Sequence, residues 1–294
     1  MIKKNILMVV NPISGDVDKS EFIQVAKFYA DDLNLRLRIY ETTGDGDDIA
    51  IRNLCNIHTP ERIIVVGGDG TIKMVAEALE DFDIIIGILP AGSANGLSVD
   101  LDLPSDLFAN VKIAFNNAPM EMDMISINGR KSMHLSDLGL NAELVKNYQS
   151  GTTRGKLGYA LNTFSTLTDM KEPFSARVFA NGDIVDVTAR IIIIANSQKY
   201  GTGVVVNPYG KMDDGKFEIV IIKNLDLFVF GQIITGNMPV DTEDVLIIST
   251  DNAVITTTEP IPFQIDGEYI GEERRLEINI LHKQMKIAVP SNLL

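Results

Sequence analysis

Four short apolar runs in the first part of the chain each end in a polar loop, and helical patterns separate them. Ile6–Val10 leads into Asn11-Pro12-Ile13-Ser14-Gly15, and a helical pattern follows across Phe22–Leu33. Leu35–Tyr40 ends in Glu41-Thr42-Thr43-Gly44, after which Asp47 or Asp48 could cap a helix through Cys55. Ile63–Val66 ends in Gly67-Gly68-Asp69-Gly70-Thr71, and Ile72, Val75, Ala76 and Leu79 then fall at helical spacing. Ile84–Leu89 ends in Pro90-Ala91-Gly92-Ser93-Ala94-Asn95-Gly96. Strands that alternate with helices predict a parallel sheet covered on both faces. In such a sheet the strand C-termini lie along one rim, where ligands bind. The loops Asn11–Gly15, Thr42–Thr43, Gly67–Thr71 and Gly92–Asn95 should therefore share one crevice.

The glycine-rich loop narrows the chemistry. Glycine lets a backbone come close to an anion, and N–H groups at a helix start then face it. Asp69 and Thr71 fall within the turn, where a metal or a phosphate oxygen could meet them. The reading is nucleotide chemistry. Any one loop, Asn11-Pro12 above all, could be an ordinary turn; four at one rim are harder to explain that way. No G-x-G-x-x-G follows a strand, so the dinucleotide fingerprint is missing. Gly151-Thr152-Thr153-Arg154-Gly155-Lys156 is one residue short of a Walker loop, and Leu157 stands where Ser or Thr is required. It reads as a basic loop entering a helix near the bound anion.

From about Asp123 the pattern changes. Phe174–Phe179 and Ile184–Thr188 flank Asn181-Gly182, a hairpin signal. Ile191–Ala195, Val204–Val206, Phe217–Ile222, Val245–Thr250, Val254–Thr258, Arg274–Ile280 and Met285–Val289 read as strands, and only Arg154–Leu167 and Leu227–Thr235 as helices. The predicted fold is a two-lobed α/β chain. Residues 1–123 form a nucleotide-binding domain with a parallel sheet, and 124–294 a mostly antiparallel β-sandwich. An alternative boundary returns the last residues to the first domain.

The 294 residues carry 40 acids against 26 bases, a net charge of −14. That argues against a nucleic-acid partner, which calls for a basic face, and against electrostatic docking on anionic lipid. A single cysteine, Cys55, excludes an intramolecular disulfide and points to a reduced, cytoplasmic setting. The N-terminus carries neither the apolar length of a signal peptide nor a cleavage site, and no apolar run is long enough to span a bilayer. His58, His134 and His282 are widely spaced and form no ligand pair. Asp45-Gly46-Asp47-Asp48 lacks the further acids of an EF-hand and reads as a solvated helix start.

With these motifs in order, the chain resembles the diacylglycerol kinase catalytic-domain family, which includes sphingosine and ceramide kinases, and within it the bacterial soluble lipid kinases. The resemblance runs through Asn11–Gly15, Gly67–Thr71, Pro90–Asn95, Arg154–Tyr159, Lys211-Met212-Asp213-Asp214-Gly215-Lys216 and Asp266-Gly267-Glu268. It implies ATP-dependent phosphoryl transfer to a lipid hydroxyl, with ATP in a cleft between the lobes. By position Asn11, Pro12, Ser14, Gly15, Thr42 or Thr43, Gly67, Gly68, Asp69, Gly70, Thr71, Lys73, Gly92, Ser93 and Asn95 would line the nucleotide site. Glu268 would be the general base. Asp69 and Asp123 would organise catalytic Mg2+ through water, and Asp214 with the Lys211 and Lys216 carbonyls would hold a structural Mg2+. Phosphoryl transfer is mainly positioning and charge neutralisation, and Mg2+ takes few carboxylates and keeps several waters.

The chain departs from the family pattern in three places. Gly96 stands where Asp usually follows Asn95, Ile72-Lys73-Met74 replaces Leu-Asn-Glu, and Asn141 stands where Asp is common. Lys73 either adds positive charge near the phosphates or is an exposed helix residue. The acceptor expected is a neutral lipid reached through an apolar cleft in the β lobe, at a transiently contacted membrane surface. An exposed β edge could pair two chains. Two other readings stand beside this one: an NAD kinase, which shares the Gly-Gly-Asp-Gly-Thr turn, and a non-catalytic nucleotide- or lipid-binding descendant of a kinase.

Overall fold

The computed structural model describes residues 4–93, 95–139, 142, 172–199, 203–225, 227–240 and 242–293. The helix expected over Arg154–Leu167, the Gly151–Lys156 loop, the Arg154–Tyr159 motif and Asn141 lie outside these residues. The chain folds as two compact units. One comprises the chain up to Met122 together with the segment from Lys283, and the other spans Asp123–His282.

In the first unit β1 (Asn5–Val10), β2 (Arg36–Glu41), β3 (Arg62–Gly67) and β4 (Ile85–Pro90) are parallel, in the order β2-β1-β3-β4. The end of β14 (Glu268–Ala288) adds a fifth parallel strand, with Lys286 and Ile287 opposite Ile85 and Ile86. Ile6, Met8 and Val10 face α1 (Ser20–Asp32) and α5 (Leu107–Asn116) in one core with Ala26, Tyr29, Val111 and Phe115. The alternate residues Leu7, Val9, Ile63 and Val65 are buried as well, as are Ile51 and Cys55 of α2 (Asp47–His58) and Ile72 and Val75 of α3 (Asp69–Ala78). Burial on both faces is why these strands read as unbroken apolar runs.

Two readings of helix starts change. Gly46, not an Asp side chain, occupies the N-cap of α2, with φ 64°. The Asp47 carboxylate turns back to the loop before the helix. The helix after the glycine turn already begins at Asp69, so the acid and the hydroxyl lie on its first turn. α4 (Gly96–Asp100) and α5 were not anticipated.

The second unit is an antiparallel β-sandwich. β10 (Ile191–Ala195), β11 (Phe217–Ile222) and β12 (Val245–Thr250) pair in sequence, and β10 also pairs with β7 (Leu135–Gly139). β13 (Asn252–Ile265) pairs along its first half with β8 (Phe174–Ala180) and near its end with β7, so it serves two groups of strands. β8 and β9 (Asp183–Ala189) form the expected hairpin, with Asn181 at φ 53° and Gly182 at φ 83°. Both positive values fit a type I′ turn. Ile192 and Ile194 join Phe217, Ile219, Phe263 and Leu276 in one core, while Ile191 and Ile193 join Val220, Val229 and Ile233 in a second, partly closed by α6 (Leu227–Ile234).

The strand expected at Val204–Val206 reduces to an isolated bridge between Val205 and Lys199. The chain turns away there, as the Asn207 amide donates to Ser197 O and to the Glu218 carboxylate. The two strands expected at Arg274–Ile280 and Met285–Val289 are one, β14, with a bend at Lys283 (φ 52°). β5 (Pro119–Ile127) and β6 (Arg130–Ser132) complete the described elements of this half.

Candidate functional site

The strand order of the first unit reverses between β1 and β3, and ligands of open α/β sheets bind at such switch points. The loops that follow these two strands are tied together there. Asn11 donates its N–H to Val66 O at 2.9 Å and its side-chain amide to Thr71 Oγ1 at 3.0 Å. The loop after β4 joins them: Ala91 N–H donates to Gly67 O at 2.9 Å, and Ser14 Oγ to Ala91 O at 3.0 Å. Asn95 closes that loop on itself, accepting from Gly92 N–H and donating to Gly92 O. Pro12, Ser93 and Gly70 are exposed on these loops.

The glycines divide into two kinds. A Cβ on Gly15, which sits at φ +65°, would meet Gly92 C at 2.6 Å and Ala91 O at 2.7 Å. Gly15 therefore serves the packing of one loop on another. A Cβ on Gly70 would meet nothing within 4 Å. No side chain caps α3, so open space adjoins a helix start of the kind that suits an anion. This fits a bound phosphate. In water-only terms Gly70→Ala should raise helix stability slightly, by up to about 1 kcal/mol. We expect its Tm to hold or rise while ATP affinity falls by about tenfold, equivalent to about 1.4 kcal/mol. Thermal unfolding with equilibrium dialysis of labelled ATP checks both.

The loop after β2 stands beside β1, with Thr42 N–H donating to Val10 O at 2.8 Å. Asp47 holds it, accepting from Thr43 N–H, Gly44 N–H and the Tyr40 hydroxyl at 2.7–2.8 Å. Burial alone would raise the Asp47 pKa, but these bonds outweigh it and hold the carboxyl below its ordinary value. Burial and the Asp47 carboxylate push the Tyr40 hydroxyl up to about 12.

The expected metal acids have definite partners. Asp69 accepts from Gly96 N–H at 2.7 Å and Leu97 N–H at 3.1 Å, so it caps α4 from a distance. Gly96 thus meets Asp69 with a backbone donor. In the second unit Asp123 is buried; its carboxylate accepts from Gly215 N–H at 2.7 Å, and its own N–H donates to Met212 O. His282 Nδ1 lies 4.0 Å from it. Asp214 accepts from Lys216 N–H at 3.0 Å within the same 211–216 loop. A carboxylate oxygen carries two lone pairs, and a hard cation that retains its waters can be met by carboxylates that also accept backbone N–H bonds. Among the described residues no group of three or more His, Cys, Asp or Glu side chains is placed to hold a metal directly. The residues therefore fit Mg2+ bound through water and carbonyls better than an all-carboxylate cage. Lys73 is half-buried on α3, and Lys211 is exposed.

Glu268 is the first residue of β14, opposite Ile265 across a two-residue turn. Asp266 (φ 49°) and Gly267 (φ 85°) give that turn type I′ geometry. The Asp266 carboxylate accepts from Ser132 Oγ, Met133 N–H and His134 N–H at 2.9–3.2 Å, and Gly267 N–H donates to Gln264 Oε1 at 2.7 Å. Gln264 in turn donates to buried Asp137. The exposed Glu268 side chain therefore leaves a turn that is fixed on several sides. Sequence reading named Asp47 only as a helix cap, and did not single out Lys19, the buried residue at the N-cap of α1.

Residues 5–127 match the diacylglycerol kinase catalytic domain, and residues 137–288, over half the chain, match the YegS C-terminal NAD kinase beta sandwich-like domain. The chain belongs to the diacylglycerol kinase catalytic-domain family. It is similar to the diacylglycerol kinase of Bacillus subtilis, 22% identical over 296 residues that cover 98% of this chain and 97% of that one. It is 28% identical over 239 residues to an uncharacterized Synechocystis protein, covering 78% of this chain but only 54% of that relative's length. The crystal structure of a Bacillus anthracis diacylglycerol kinase superposes with a TM-score of 0.77 at 19% identity and covers all of both chains. That likeness concerns the fold. No helix among the described residues is long and apolar enough to cross a membrane.

Proposed function

We propose that this member of the diacylglycerol kinase family transfers the γ-phosphoryl group of ATP to the hydroxyl of a neutral lipid such as diacylglycerol. The observation that supports this best is the joining of the Asn11–Gly15, Gly67–Thr71 and Pro90–Asn95 loops at the switch point of the first unit. Asn11, Pro12, Ser14, Gly15, Thr42, Thr43, Lys73, Gly92, Ser93 and Asn95, with the turn from Gly67 to Thr71, would hold the nucleotide. Asp69 and Asp123 would hold Mg2+ through water, and Asp214 with the carbonyls of Lys211 and Lys216 a second ion. Bound Mg-ATP supplies the phosphoryl group and neutralises charge during its transfer. Glu268 would accept the proton of the lipid hydroxyl as its oxygen bonds to the γ-phosphorus and the bond to the β–γ bridging oxygen breaks, releasing ADP. An acceptor of this kind brings the chain to a membrane surface, and the excess of acids speaks against nucleic acid.

A second reading, phosphorylation of NAD, draws on the NAD kinase-like description of the second matched domain. One assay separates the two. The protein is incubated with labelled ATP, Mg2+ and diacylglycerol, sphingoid base, phosphatidylglycerol or polyprenol in mixed micelles, and in parallel with NAD. A labelled lipid supports the lipid kinase and names its acceptor. Labelled NADP alone supports the second reading, and label on neither, with ATP bound, argues for a binding-only protein.

A further inference from the structure

We infer that Lys19 is a positioning residue of the nucleotide site: its ammonium clamps the loop after β1 to the loop after β4. The inference rests on the nucleotide reading above. Lys19 is 6% exposed. Its Nζ donates to Ser14 O at 2.5 Å, Val17 O at 2.7 Å and Ala91 O at 3.1 Å. A lysine ammonium has three N–H donors and no acceptor. All three are engaged by carbonyls, so none is left to grip a phosphate. That distinguishes Lys19 from a phosphate-binding lysine, which must keep a donor for its ligand.

The clamp reaches further than its own bonds. Ala91 O accepts from both Lys19 Nζ and Ser14 Oγ, so the Ala91–Gly92 peptide is held in one orientation. In a trans peptide the C=O and the next N–H point in opposite directions. The Gly92 N–H is accordingly turned away from Lys19 and is met by Asn95 Oδ1 at 2.9 Å. The same clamp presses Gly15 onto Gly92, where no Cβ fits. One ammonium thus fixes Asn11–Gly15 and Gly92–Asn95 at once. Burial lowers the Lys19 pKa, and Asp16 and Asp18 beside it oppose that shift.

The test compares Lys19→Met with Lys19→Arg and with Arg62→Met. Arg62 also donates to backbone carbonyls, Ala114 O at 3.2 Å and Asn117 O at 2.7 Å, but at the end of β3 remote from Gly67. ATP affinity is measured by equilibrium dialysis of labelled nucleotide, and Tm for each variant. Lys19→Met should weaken ATP binding by about 10–100-fold (each tenfold about 1.4 kcal/mol). Lys19→Arg, which restores charge and donors, should recover most of the loss. Arg62→Met should lower Tm and leave ATP affinity within about threefold, since its loss is structural. Equal effects of Lys19→Met and Arg62→Met on ATP would overturn the inference, as would wild-type affinity in Lys19→Met. Should Lys19→Met not fold, Lys19→Gln is read by the same criterion. Wild-type protein that binds no ATP would sink the nucleotide reading itself and the inference with it.

Discussion

Replacing Glu268 by Gln is expected to lower lipid phosphorylation by about 10²–10⁴-fold, the usual worth of a general base, while Tm stays within about 2 °C. Gln has the same length and can still hydrogen-bond, but it cannot take the proton of the attacking hydroxyl. The stability half of the prediction follows from the turn. Asp266, not Glu268, carries the bonds from Ser132, Met133 and His134 that anchor the hairpin, and the Glu268 side chain is exposed. Exposed substitutions away from such anchors rarely shift stability by more than about 0.5 kcal/mol. Rates with labelled ATP and a thermal melt decide the matter. A Gln variant that keeps more than about a tenth of the activity removes Glu268 from the role of base.

Gly15→Ala should be the most damaging change to the nucleotide loops. Left-handed backbone costs a residue with a Cβ about 1–2 kcal/mol, and here the new carbon would also stand 2.6 Å from Gly92 C and 2.7 Å from Ala91 O. Both are backbone atoms, which cannot rotate aside as a side chain can. The loop must lift off its neighbour, which breaks the geometry held by Ser14 and Lys19. We expect ATP affinity to drop by at least about 100-fold, near 2.7 kcal/mol, with Tm lower by several degrees. Gly70→Ala offers the opposite pattern, a stable fold with weakened ATP. Identical profiles for the two variants would mean that the open space at Gly70 is not used by the ligand.

The alternating strands and helices of the first unit were legible because both faces of its sheet are covered, which writes continuous apolar runs such as Ile63–Val66 into the chain. Asn181-Gly182 announced its hairpin through the turn type that only such a pair adopts easily. β7 was hidden because it carries buried Ser136 and Asp137, which bond to Ser132 four residues back and to Gln264 far along the chain. α5 carries readable signals in the Asp106 cap and in the helical spacing of Leu107, Val111 and Phe115. β14 was split at His282-Lys283-Gln284, where polar side chains and a left-handed Lys283 (φ 52°) interrupt the apolar pattern without ending the strand. In the candidate site the motif residues were readable individually. What local sequence could not convey was their wiring: that Asp69 caps α4, that Asp47 closes the β2 loop, and that Lys19 spends its charge on carbonyls. The Asp69 bonds to Gly96 and Leu97 and the Lys19 bond to Ala91 join segments that only the fold brings together, while the Asp47 bonds to Tyr40, Thr43 and Gly44 are local and depend on how the loop turns.

The late arrival of one edge strand has a consequence for how this protein is made. The end of β14 lies beside β4, and the Lys286–Asp83 ion pair that flanks it joins residues 203 positions apart. During synthesis the N-terminal sheet must therefore wait, with the edge of β4 uncovered, until Lys286 and Ile287 have left the ribosome. Exposed strand edges recruit other chains, and distant pairings are slow to form. Nascent chains stalled before Met285 should accordingly be the ones most dependent on chaperones.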